Sequence, residues 1–430
     1  MSSPSNEALQ SRLRQMPKHV LWLLQYAACL GPVSFSKSTL DMVWQSGIVT
    51  ESRLEDGTRY EITPLLDQCE KERLIEKRTD DGEEYKWVDA MVHQAAMTLL
   101  NESRTSEFRF RAGMALYLEL SEKNMEEELE EKLFMVADLL NNADGQSTQK
   151  SEECASINLR AARKAKDLSR YASASLYAAK GISRLPAGKR LSDAILALEL
   201  YTLGAQMEMR LGNAHRVETY TTAFLSVHRD WTVMEAMPLK ITRFLSKVTA
   251  TVEESSSLSK YEECIDECLL LLTKEMNYRL YYVSRRLIPL QARWARFRTT
   301  QAVQNRKRKL VSVDNKNAGT DERHEATAAA AAAALLCLIH HAACQTNNAS
   351  LAALCTCKTV QLSLQHSCLH DVSGIGALGH MVGDATPTEL NEIGFILKGD
   401  GNKISSDVYL QLGLEPNSQN FSPKITDGWL

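Results

Sequence analysis

Cysteine and histidine residues gather in one apolar segment near the C-terminal third of the chain. Cys337, His341 and Cys344 follow i, i+4 and i+7 spacing, so an α-helix would place them on one face within reach of a metal ion. Structural zinc sites usually contain a CxxC pair, which this segment lacks. Cysteine and alanine are also small enough for close helix packing. We favour packing, and the sequence leaves metal binding by these three residues open.

Nucleotide hydrolysis and covalent catalysis lack their usual signatures. A phosphate-binding loop needs Gly-x-x-x-x-Gly-Lys-Ser/Thr after a strand, but Gly188-Lys189 is preceded by Ser183 and followed by Arg190 at the defining positions. No Ser, Cys or Lys nucleophile is marked by a neighbouring base and oxyanion site. We therefore predict that the chain is not an enzyme and has no cofactor and no small-molecule substrate.

Two basic clusters are candidates for partner binding. In the first, arginines surround a tryptophan, and guanidinium and indole groups together suit recognition of an acidic peptide. The favoured interpretation, however, packs these aromatic side chains inside a helical stack. The second cluster has the composition of a nuclear import signal, although a solvated loop is the more usual meaning of such a tetrad. The candidate partner-binding residues are Arg285, Arg286, Arg293, Trp294 and Arg296, and the candidate basic loop contains Arg306, Lys307, Arg308 and Lys309.

Length and composition favour a multi-part helical protein. The 430 residues exceed what one core usually fills, and 44% of them are hydrophobic, so global disorder is not expected. Gly and Pro are scarce, which favours helices. A net charge of −4 gives no general attraction for nucleic acid or an anionic membrane. Because residues 1–16 are polar and the longest apolar run is short, we expect a cytoplasmic protein with reduced thiols and no membrane span.

Residues 17–103 predict a small winged-helix domain, preceded by a disordered tail over residues 1–16. Three helices are followed by a hairpin, whose strands flank the turn at residues 79–82, and by a closing helix. Between Glu51 and Glu72, seven acidic residues outnumber three basic ones, which would repel phosphate. We expect internal packing of this domain. The alternative function is a nucleic-acid-binding regulator that uses the winged helix and the basic loop.

Residues 104–303 predict tetratricopeptide-like helical repeats. An amphipathic helix recurs with Tyr171, Val217 and Tyr261 at matching positions, 46 and 44 residues apart. Such hairpins cannot bury their apolar faces alone and stack into an α-solenoid, so the predicted fold class is mostly α. The remaining predicted segments are a flexible basic loop at 304–324, further helical hairpins at 325–383 and an irregular C-terminal tail at 384–430.

Several segments are similar to a known family. The similar segments are Leu24–Gly31 with Phe35 and Leu40, Trp87–Ala96, Val136–Asn141 and Ala155–Lys166. Together they resemble the region that follows the ATPase core in STAND-type signal-transduction AAA ATPases fused to kinases or cyclases. Asp89-Ala90 replaces the family's His-Asp pair, so any contact of that pair with an ATPase core is not implied here. The resemblance implies a regulatory module for protein binding in signal transduction that lacks the nucleotide-binding core. It leaves open a stand-alone remnant, a fragment of a longer ATPase, and a subunit whose partner is an ATPase or kinase module in trans.

Overall fold

The computed structural model describes most of the chain between residues 4 and 366. The described residues are 4–53, 59–78, 83–100, 102–123, 125–143, 151–185, 191–227, 236–253, 258–275, 278, 288–292, 294–295, 298 and 320–366. They are mostly helical, with a small three-stranded antiparallel sheet. The chain divides into two compact units, unit 1 at residues 1–200 and unit 2 at residues 201–430.

The described residues form helices in both units and strands in unit 1. The helices of unit 1 are α1 (Pro4–Gln15), α2 (Lys18–Leu30), α3 (Lys37–Gln45), α4 (Ile62–Lys71), α5 (Ala90–Thr98), α6 (Glu102–Glu122), α7 (Glu126–Asn141), α8 (Ser151–Asp167) and α9 (Tyr171–Ser183), and its strands are β1 (Ser34–Ser36), β2 (Ile75–Lys77) and β3 (Glu84–Trp87). Helix α10 (Leu191–Arg210) has residues in both units. Unit 2 continues with α11 (Ala214–Val227), α12 (Met237–Glu253), α13 (Leu258–Leu270), a π-helical turn (Leu271–Glu275), α14 (Thr320–Gln345) and α15 (Ala349–His366).

The sheet has the strand order β1-β3-β2, and β3 is antiparallel to both neighbours. Phe35 pairs with Tyr85 in register, and their rings stack with centroids 5.9 Å apart. The β2–β3 pairing confirms the predicted hairpin. The sequence pattern did not indicate β1, because a strand of three residues is too short to display an alternating period.

The part of unit 1 that contains α2–α5 and the three strands is called the sheet region. Two tryptophans connect its strands, loops and helices. The indole Nε1 of Trp87 donates to the backbone oxygen of Gly31 at 3.0 Å, and that of Trp44 donates to the backbone oxygen of Tyr60 at 3.0 Å. A Cβ atom on Gly31 would lie 2.0 Å from the backbone oxygen of Ser34. Glycine is therefore required where α2 turns into β1.

Helix α1 corrects the prediction of a disordered tail. Residues 4–15 are helical, Leu13 is fully buried, and α1 packs against α5. Arg12 also forms an ion pair with Glu72, with an N–O distance of 2.7 Å. The segment is mostly polar, so its sequence shows little helical periodicity. Its helix is held by tertiary contacts, which supply most helical stability in proteins.

Helix α6 is anchored to the sheet region by an aromatic and ionic cluster. The Tyr26 ring stacks on Phe108 with centroids 4.4 Å apart, and its hydroxyl donates to Glu51 at 3.3 Å. Arg111 donates to the other carboxylate oxygen of Glu51 at 2.8 Å and also bonds to Glu107. The cluster joins α2, the loop after α3 and α6 within unit 1.

Consecutive helices of unit 1 pack as neighbours from α6 to α9. Between α7 and α8, the buried amides of Asn141 and Asn158 exchange hydrogen bonds of 2.8 and 2.9 Å. On α9, a Cβ atom at Gly181 would lie 2.6 Å from a methyl carbon of Leu200. A larger residue at this position would force the Leu200 side chain to shift where α9 meets this part of α10.

In unit 2, α11 packs against α12, α12 packs against α13, and the alanine-rich α14 packs against α12, α13 and α15. Helices α9, α11 and α13 coincide with the predicted recurring helix, and Val217 and Tyr261 are both buried. Among the described helices, none combines the length and the apolar character needed to cross a bilayer.

The predicted boundaries in the C-terminal half are partly corrected. Residues 320–324, assigned to the flexible basic loop by sequence, are the first residues of α14. Helices α14 and α15 pack against each other within the segment 325–383, for which the sequence predicts further helical hairpins. Residues 304–319, residues 367–383 and the tail at 384–430 lie outside the described residues.

Candidate functional site

Trp294 lies within the described residues, unlike the other predicted site residues. The positions that lie outside the described residues are Arg285, Arg286, Arg293, Arg296, Arg306, Lys307, Arg308 and Lys309. The site is therefore built from Trp294 and its described neighbours.

The residues around Trp294 form an amphipathic helical stretch. Residues 288–292, 294–295 and 298 are helical. On one side, Ile288, Ala292 and Ala295 are buried in the apolar core of unit 2. On the other side, Leu290 is 68% exposed and Trp294 is 58% exposed. The favoured interpretation from sequence, in which the aromatic side chains pack inside, is therefore wrong for Trp294.

Arg298 lies one turn beyond Trp294 and contacts its ring. The guanidinium carbon is 4.5 Å from the ring centroid, which is within the range of a cation–π contact. Leu290, Trp294 and Arg298 have i, i+4 and i+8 spacing, so they lie along one stripe of the helix. An aliphatic, an aromatic and a cationic group are thus presented in sequence on the exposed side.

Lys358 of α15 adds a second positive charge beside this stripe. The pKa of Lys358 is lowered by burial and, next in size, by the positive charge of Arg298. The two cations are therefore close enough to repel each other. We call Leu290, Trp294, Arg298 and Lys358 the 290–298 surface.

The positive charges of the 290–298 surface have no acidic partner in the described part of the chain. There, no carboxylate forms an ion pair with Arg298 or Lys358, and none contributes to the pKa of Lys358. A half-buried lysine is normally compensated, because charge is costly to remove from water. The arrangement is chemically suited to receive an anionic group together with apolar contact.

Sequence reasoning identified Trp294, but it missed Leu290 and Lys358. Leu290 had a detectable signal, since it precedes Trp294 by one helical turn and falls on the side opposite Ile288 and Ala292. Lys358 had none, because its proximity to Arg298 depends on how α15 packs in unit 2.

The basic side chains in the sheet region of unit 1, unlike those of the 290–298 surface, lie beside carboxylates. Lys77 lies 3.1 Å from a carboxylate oxygen of Glu70, Arg78 lies 3.2 Å from Glu84, and Lys86 lies 2.7 Å from Glu76. Each of these cations is already paired with a carboxylate. A phosphate would have to compete with those acids and would also meet their charge.

The acidic run at the start of α7 is partly neutralised as well. Arg160 of α8 bonds to Glu126 and lies 2.6 Å from Glu130. Lys132 lies 3.3 Å from Glu128 on the same helix. Much of this run therefore serves contacts within unit 1.

The described cysteine and histidine side chains are not arranged as a metal site. Within the described residues, no group of three or more His, Cys, Asp or Glu side chains is placed to hold a metal ion. The side chains of Cys337, His341 and Cys344 lie outside those residues. Cys264 and Cys268 are buried free thiols, and the hydrogen bond between them lowers the pKa of Cys264 and raises that of Cys268.

Comparison with known proteins gives no relative. No family model, no curated protein and no solved structure matched the chain. The resemblance to the region after the ATPase core of STAND-type ATPases therefore stays a prediction.

Proposed function

We propose that this chain is a non-catalytic module for protein interaction and regulation, which binds a partner at the 290–298 surface. The observation that carries the proposal is the exposure of Trp294 with Arg298 on its ring. Tryptophan and arginine are enriched among the side chains that dominate binding at protein interfaces. An exposed leucine one turn away extends the apolar contact area.

The proposal includes a winged-helix domain followed by tetratricopeptide-like hairpins stacked as an α-solenoid. Its first support is the succession of three helices, a hairpin and a closing helix in α2–α5, with β1 added to the sheet. Its second support is the succession of packed neighbours α6–α9 and α11–α13. On the family resemblance, the partner would be an ATPase or kinase module acting in trans in the cytoplasm.

The nucleic-acid alternative gains no support from the sheet region. Lys77, Arg78 and Lys86 are paired with carboxylates there. Binding to phosphate would require breaking those pairs. The basic loop at 306–309, on which the alternative also depends, lies outside the described residues.

The test is affinity purification with the full-length chain as bait, with bound proteins quantified by mass spectrometry. A second bait carries Leu290→Ala and Trp294→Ala. We expect recovery of at least one protein to fall by about tenfold or more with the second bait, because truncating a central tryptophan often costs 2 kcal/mol or more, roughly thirtyfold in affinity.

The control bait carries Leu176→Ala in unit 1. Leu176 is as exposed as Trp294, at 58%, and lies outside the proposed surface. Circular dichroism checks that all baits are folded. Equal recovery of every bound protein by the three baits would contradict the proposed function.

A further inference from the structure

The charge of the 290–298 surface indicates what kind of partner fits it. Arg298 and Lys358 are two like charges placed together, without a carboxylate partner among the residues that the structure describes. A ligand that brings negative charge would relieve their repulsion. Complementary charge of this kind gives specificity and a faster encounter between partners.

The apolar side chains of the 290–298 surface further restrict the kind of partner that fits it. Leu290 and Trp294 are one helical turn apart, about 6 Å along the axis at 1.5 Å per residue, and both are exposed. Arg298 lies over the indole ring, so it shares the ring with any ligand. A ligand can therefore contact the Leu290 side chain, the part of the Trp294 ring that Arg298 does not cover, and the two cations beside them.

We propose that the 290–298 surface binds an acidic peptide segment of a partner protein. The segment's carboxylates meet Arg298 and Lys358, and an apolar side chain one helical turn away packs on Leu290 and Trp294. This inference rests on the proposed interaction function and names the chemistry of the partner.

A peptide fits these observations better than a nucleic acid does. Base stacking needs an open aromatic face, and Arg298 covers part of the Trp294 ring. Leu290 offers no hydrogen bond to a base or phosphate but matches an aliphatic or aromatic side chain. The net charge of −4 also gives no general attraction for a polyanion.

The experiment measures binding of fluorescent synthetic peptides to the full-length chain by anisotropy. The first peptide carries glutamates and a leucine spaced by one helical turn. A second replaces each glutamate by glutamine, and a third replaces the leucine by serine. We expect the first to bind at least about tenfold more tightly than either of the others, since each lacks one of the two complementary contacts.

Variants of the chain locate the binding. Arg298→Gln and Lys358→Met are each expected to weaken binding of the first peptide by about three- to tenfold and to reduce its salt dependence. Lys86→Gln, which removes an exposed lysine of the sheet region, is the matched control and is expected to leave affinity unchanged. Thermal unfolding followed by circular dichroism confirms that each variant is folded.

Several outcomes would overturn the inference. Equal binding of the glutamate and glutamine peptides would mean an apolar partner, while the proposed interaction function would stand if recovery still depends on Trp294. Preferred binding of oligo(rU) or of phosphatidylserine vesicles through Arg298 would assign the surface to another ligand class. Self-association that is lost with Trp294→Ala, seen by sedimentation, would assign it to a second copy. No binding of any peptide at millimolar concentration would also overturn it.

Discussion

Basic side chains have different surroundings in the two units. In the sheet region of unit 1, Lys77, Arg78 and Lys86 each lie beside a carboxylate. In unit 2, the described neighbours of Arg298 include an indole ring and Lys358, another cation. Positive charge by itself therefore does not mark a binding site in this protein. What marks the 290–298 surface is that its two positive charges lie together and have no carboxylate partner among the residues that the structure describes.

The two units also differ in whether their uncharged side chains are used within the fold. The amides of Asn141 and Asn158 are buried and satisfy each other. Trp294 and Leu290 are exposed and contribute little to any core. We therefore expect variants inside unit 1 to change stability without changing binding, and variants of the 290–298 surface to do the reverse.

The largest loss of stability is expected for Asn158→Leu. This change leaves the buried amide of Asn141 without its partner, at a cost of about 1–3 kcal/mol in the free energy of unfolding. Urea denaturation followed by circular dichroism measures the loss. Peptide binding at the 290–298 surface should not change, and a parallel loss of binding would break the comparison between the units.

The control for this prediction is the double variant Asn141→Leu with Asn158→Leu. Replacing both partners leaves no unsatisfied amide, so most of the loss should be recovered. A double variant less stable than the single one would mean that the pair acts through packing instead of hydrogen bonding.

A smaller loss is expected for Arg111→Met. Arg111 donates to Glu51 at 2.8 Å, and its removal leaves that largely buried carboxylate with a weaker set of donors, including the hydroxyl of Tyr26 at 3.3 Å. We expect a cost of about 1–2 kcal/mol, measured by urea denaturation. Arg109→Met, on the same helix but outside the described ion pairs, is the control. Equal losses in both variants would contradict a specific role for the pair.

Lys86→Gln is expected to have almost no effect on stability. Lys86 and Glu76 form an exposed pair 2.7 Å apart, and such pairs contribute about 0.5 kcal/mol or less. Urea denaturation at low and high salt should give the same difference within that limit. A loss well above it would show that the paired cations of the sheet region are structural in a way that their exposure does not suggest.

The sequence predicts those parts of the fold whose signals are local. The β2–β3 hairpin surrounds a turn, and α9, α11 and α13 carry their own apolar periodicity. Helix α1 and strand β1 depend on contacts with distant segments, so their sequences alone show little. Sequence reasoning therefore assigned residues 1–16 to a tail and missed the first strand of the sheet.

The candidate site could be predicted only in part. The type of residue singles out Trp294, but its exposure depends on which side of its helix meets the core, and Ile288, Ala292 and Ala295 occupy that side. Lys358 joins the surface through the packing of α15. The proximity of Lys358 to Arg298 results from tertiary packing and cannot be predicted from the spacing of residues along the chain.

The smallest change in stability at neutral pH is expected for Arg298→Gln. The variant loses an exposed cation–π contact worth about 0.5–1 kcal/mol. It also removes the repulsion between Arg298 and Lys358. The two effects oppose each other, so urea denaturation should give a difference near zero, in contrast to the loss of peptide binding.

The pH dependence of the same variant separates the two effects. Burial, and then the charge of Arg298, lowers the pKa of Lys358 from its ordinary value of 10.5. Between the lowered pKa and 10.5 the unfolded chain binds more protons at this lysine than the native chain does, so its contribution to the free energy of unfolding rises with pH. Arg298→Gln raises the native pKa and should make that rise smaller. Lys358→Met, which lacks the titrating group, supplies the baseline. A rise of equal size in the wild type and Arg298→Gln would show that the two cations do not interact.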